Sequence, residues 1–155
     1  MIVRSIVSIL ACVTVAAAVS DARAELAAWD QAKVTALSKQ LVDSAGALND
    51  TFYKQPVPTA GSAQSRGYAR LKDQVRQIQR GAKSLNAKLG KQGDREATLK
   101  SYQSLMQAVD AARDEAKGVF TGNDVAGKAA AVRGVLNQLG PYYDPDFKEL
   151  RPVAR

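Results

Sequence analysis

The chain has 155 residues, enough for one domain of ordinary size, and carries 22 Lys and Arg against 15 Asp and Glu, a formal net charge of +7. It has no histidine and a single cysteine. That composition excludes an internal disulfide, the usual Cys/His zinc sites, haem attachment through Cys-x-x-Cys-His, and Ser-His-Asp or Cys-His catalysis.

Residues 1–24 read as a cleavable signal peptide. Arg4 gives a positive start, Ser5 to Ser20 is uncharged and mostly apolar, and Ala22-Arg23-Ala24 is the small-x-small pattern cut by signal peptidases. Cleavage after Ala24 is expected, giving a periplasmic or secreted protein that begins at Glu25. The apolar run of about 16 residues is shorter than a spanning helix requires, so no transmembrane segment is expected after cleavage. Cys12 leaves with the leader. Residues 25–155 are expected to form a single helical-bundle domain with neither thiol nor imidazole.

Apolar residues recurring at three- and four-residue intervals predict four helices. The first spans about 26–54, with Leu37, Leu41, Ala45, Leu48 and Phe52 on one stripe, and Pro56 and Pro58 end it. The second spans about 62–91, along Tyr68, Leu71, Val75, Ile78, Leu85 and Leu89, with Gly90 and Gly93 at its end. Asp94 is placed to cap a third helix, about 94–120, whose stripe includes Leu99, Tyr102, Leu105, Val109, Ala116 and Phe120. A turn at Thr121–Asp124 leads into a short fourth helix, about 125–139, which Gly140-Pro141 should stop. An irregular aromatic tail, 140–155, completes the chain.

Short connections between amphipathic helices favour antiparallel neighbours, so the expected fold is an all-α, up-down-up-down four-helix bundle. The first helix, at about 43 Å, outruns the fourth, at about 22 Å. The tail, with Tyr142, Tyr143 and Phe147, is therefore expected to cap the end holding Trp29 and Tyr102. A loose tail would instead leave a hydrophobic groove. In outline the chain resembles small periplasmic four-helix bundles such as the cytochrome c′ group. The likeness is one of architecture, and no haem ligand of those families has a counterpart here.

Gly122 to Ala129 matches Gly-x-x-x-x-Gly-Lys, but Ala129 stands where a phosphate loop needs Ser or Thr, and a helix precedes it where a strand is required. It is expected to be a turn entering a helix. The second helix concentrates positive charge: Arg66, Arg70, Lys72, Arg76, Arg80 and Lys83 oppose its apolar stripe, with Asp73 as the lone acid. These residues form a candidate face for an anionic envelope component or an acidic protein, or else a plain solvated face. Export argues against nucleic acid. Arg113 falls on the apolar stripe of the third helix and needs a partner or a route to water. The functional expectation is an exported, non-enzymatic binding or scaffolding protein of the cell envelope, without cofactor or metal. One alternative is a carrier of a small apolar or aromatic molecule among Trp29, Tyr102, Tyr142 and Tyr143. Another is an enzyme using carboxylate or tyrosine chemistry.

Overall fold

Asp30 decides where the first helix starts. Its carboxylate accepts a hydrogen bond from the Lys33 amide at 2.9 Å, capping α1 (Gln31–Lys54). The helix thus begins later than residue 26, and residues 25–30 are left as a non-helical strap. The computed structural model describes residues 25–56 and 62–153. The expected signal peptide, 1–24, and most of the proline linker lie outside the described residues. The other helices are α2 (Ser62–Leu89), α3 (Arg95–Ala116) and α4 (Asn123–Tyr143). Asp94 caps α3 as expected, accepting from the Ala97 amide at 2.8 Å. Among the described residues there is no strand, and no helix is long and apolar enough to cross a membrane.

The predicted stripes supply the core. Leu41 and Phe52 of α1, Leu85 and Leu89 of α2, Leu105 of α3 and Leu136 and Leu139 of α4 are all but sealed from solvent. α1 packs against α2 and α4, and α2 also packs against α3, whereas α3 and α4 scarcely meet. Glycine explains the close approach of α2 to α3: a Cβ on Gly81 would lie 3.1 Å from Leu105 Cδ1. The two fully buried polar residues are satisfied locally. Ser38 donates to the Thr35 carbonyl, and Thr98 to that of Asp94.

α3 and α4 also depart from expectation at their ends. α3 stops at Ala116 instead of near residue 120, and the turn through Lys117 and Gly118 alters the register. Val119 is buried in consequence, while Phe120, expected on the core stripe, is 78% exposed. α4 starts at Asn123 with Gly122 as its cap and runs through Pro141 to Tyr143, where a stop after Leu139 was expected. Tyr142 and Tyr143 therefore belong to the helix. Proline costs roughly 3 kcal/mol inside a helix, but burial of two aromatic rings returns roughly 2 kcal/mol each. The freed end is also bonded: the Ala27 amide donates to the Pro141 carbonyl at 2.9 Å, and the Asp144 amide to that of Gly140 at 3.0 Å.

After Asp144 the tail doubles back along α4. Phe147 lies directly on Gly140, where any side chain would collide with its ring. Asn137 then holds Leu150 by both its main-chain groups, accepting from the amide at 2.8 Å and donating to the carbonyl at 3.2 Å. Gly140→Ala is expected to cost about 1–3 kcal/mol through overpacking. Gly134→Ala, in open space on the same helix, should gain about 0.5–1 kcal/mol. Urea denaturation of the two variants checks both signs.

Candidate functional site

The two ends of the α3–α4 seam differ. At one end aromatic rings fill the space between the helices. Tyr143 of α4 stacks on Tyr102 of α3 with centroids 4.3 Å apart and planes 9° from parallel. Trp29, from the strap, meets Tyr143 edge-on at 5.5 Å and Tyr142 at 6.4 Å. Thr98 and the Tyr143 hydroxyl are hydrogen-bonded at 3.0 Å. Arg95 lies over the Trp29 ring at 5.5 Å and donates to the Ala27 carbonyl at 2.7 Å, tying the strap to α3. The predicted aromatic set is thus brought together as a packed plug, with Phe147 beside it on Gly140.

Burial governs the titration of these tyrosines. It pushes the Tyr102 phenol well above its ordinary value, and nearby Asp144, Tyr143 and Asp110 push it further. Burial also raises Tyr143, partly offset by its bond to Thr98 and by the Arg95 charge. The Tyr102 hydroxyl is buried without a hydrogen-bond partner.

At the other end the seam is open. An apolar cavity of about 310 Å³ lies between α3 and α4, about twice the roughly 150 Å³ of a dry cavity that accepts benzene. Leu48 and Phe52 of α1, with Leu71, Val75 and Ile78 of α2, line its inner side. The opposed walls carry small residues: Ala112 and Ala116 from α3, and Ala126, Ala129 and Ala130 from α4. Short side chains on both walls leave the space unfilled. The tail residues Leu150 to Val153 form one rim.

Arg113 reaches this rim. Its side chain is 37% exposed, lies 3.7 Å from Asp110 and donates to the Arg151 carbonyl at 3.4 Å. The expected route to water is taken, with an acid and a carbonyl as company. Arg133 and Arg151 line the same cavity.

The basic face of α2 lies outside, and part of its charge is matched in place. Arg70 pairs with Glu115 of α3 at 2.8 Å and Arg76 with Asp73 at 3.3 Å. Lys72 sits 3.8 Å above the ring of half-exposed Tyr53. Arg66 is exposed at the start of the face. Arg80 and Lys83 are exposed and form no ion pair among the described residues.

No known family, curated protein or solved structure matches this chain. Among the described residues no cluster of acids is arranged to hold a metal ion. A groove was expected at the Trp29 end had the tail been loose; that end is packed, and the seam opens at the opposite one. Its signal was alanine recurring on the facing stripes of α3 and α4, together with an arginine on one of them.

Replacing Tyr102 by Phe keeps the ring stack and removes the unpaired hydroxyl. It should stabilise the fold by about 1 kcal/mol at neutral pH. In the wild type, the unfolded chain loses tyrosine protons near pH 10 while the native state keeps them. Stability should therefore hold up to about pH 10 and fall as pH rises beyond it. Urea midpoints across that range should fall less steeply for Tyr102→Phe.

Proposed function

We propose that this protein is an exported, non-catalytic binding protein of the cell envelope that holds an apolar ligand in the groove between α3 and α4. The observation that carries this reading is the cavity of about 310 Å³, lined mostly by apolar side chains and bordered by the tail. Its size falls at the lower end of the roughly 300–1,000 Å³ common for ligand pockets. Export rests on the leader pattern in residues 1–24. A binding role is also favoured by the lack of histidine and of any thiol beyond Cys12, because nucleophilic and general-base chemistry most often draws on those groups.

The expected aromatic-ligand site at the bundle end is not retained in this reading, because its rings already occupy one another. A second reading keeps the outer face of α2 as a surface for an anionic partner, supported by Arg80 and Lys83. It ranks behind the groove because Glu115 and Asp73 already answer Arg70 and Arg76, and exposed charges are screened at ordinary salt.

An uncharged naphthylamine dye should bind the purified protein with one-site stoichiometry and a blue-shifted, enhanced emission. Ala129→Phe, which places a ring in the groove, should abolish that binding and leave the helical circular dichroism unchanged. Unaltered dye binding by this variant would count against the groove. For the α2 reading, retention on anionic vesicles should fall with salt and drop in Arg80→Gln/Lys83→Gln.

A further inference from the structure

The groove has a polar edge as well as an apolar bed. Every charged residue that lines it is an arginine: Arg113 from α3, Arg133 from α4 and Arg151 from the tail. Among the described residues no acid lines the cavity. The three residues come from separate elements, so helical periodicity does not account for their meeting at one opening. The tail geometry does. Asn137 pins Leu150 to α4, one turn beyond Arg133, and the next residue, Arg151, receives the Arg113 hydrogen bond through its carbonyl.

This rim is under-neutralised. Asp110 lies 3.7 Å from Arg113 with its own side chain 62% exposed. Arg133 and Arg151 form no ion pair among the described residues. A planar guanidinium matches a carboxylate with two parallel hydrogen bonds, which a hydrocarbon or a cationic head group cannot supply. The modest volume suits one alkyl chain better than two.

Resting on the groove as the binding site, we infer that its ligand is a single-chain anionic amphiphile, a fatty acid. Its chain lies along Leu71, Val75 and Ile78, and its carboxylate is held by Arg113, Arg133 and Arg151. The arginines select the head group, and the alanine walls accept the chain.

Calorimetric titration of the purified protein with decanoate, decanol and decyltrimethylammonium tests this. Decanoate should bind about tenfold more tightly than decanol, the worth of one charge-assisted hydrogen bond, and the cation should bind most weakly. Added salt should narrow the gap. In Arg113→Gln/Arg133→Gln/Arg151→Gln the decanoate advantage should vanish while decanol affinity stays put. Arg133→Gln alone, with no ion pair to lose, should already reduce the advantage without disturbing the fold. Equal binding of decanoate and decanol, or an advantage that survives the triple substitution, would overturn the head-group assignment and leave the groove intact. Failure of all three amphiphiles to bind would remove the groove reading itself.

Discussion

The contact between Tyr143 and Tyr102 joins α4 to α3, and the remaining architecture follows from its being at one end only. The stacked rings and the Thr98 bond close that end. Tyr143 reaches Tyr102 from an α4 that continues through Pro141, and the strap from Ala27 supplies an amide to the carbonyl there. Toward the other end, among the described residues, no ring stack or hydrogen bond links the two helices. There Ala112 and Ala116 face Ala126, Ala129 and Ala130 across an unfilled space. The seam is shut by aromatic packing at one end and kept apart by small side chains at the other.

Such an arrangement sacrifices stability for space. An apolar groove left open forgoes the dispersion contacts that a filled core would make. Larger residues at the alanine positions would recover some of that loss and close the space. The tail moderates the exposure. Leu150 is buried and held by Asn137, so the chain covers part of the seam while leaving an opening beside Arg113 and Arg151.

Much of the helical framework was legible because apolar spacing and caps are local signals. The α2 stripe from Tyr68 to Leu89 is buried throughout, and Asp94 caps the helix assigned to it. Helix ends were harder to read where distant contacts override local preference. Pro141 reads as a stop unless the burial of Tyr142 and Tyr143 is known, and Asp30 reads as a first-turn residue of a helix starting near residue 26 until its bond to Lys33 shows it to be the cap. The expectation that aromatic rings cap the Trp29 end holds, with the two tyrosines delivered by a helix. The groove was hidden because it depends on which faces fail to meet. A row of alanines looks the same in sequence whether it packs tightly or leaves a gap, and the approach of Arg151 to Arg113 depends on a chain reversal that no short motif encodes.

Trp29 is the sole tryptophan, and it belongs to the closed end, apart from the residues that line the groove. Intrinsic indole emission thus reports on the union of strap, α3 and α4, away from the open half of the seam. A fluorescence melt of this protein follows the undocking of its N-terminal segment, whereas far-ultraviolet dichroism follows the helices as a whole. Disagreement between the two curves would be a direct reading of how independently the latch gives way.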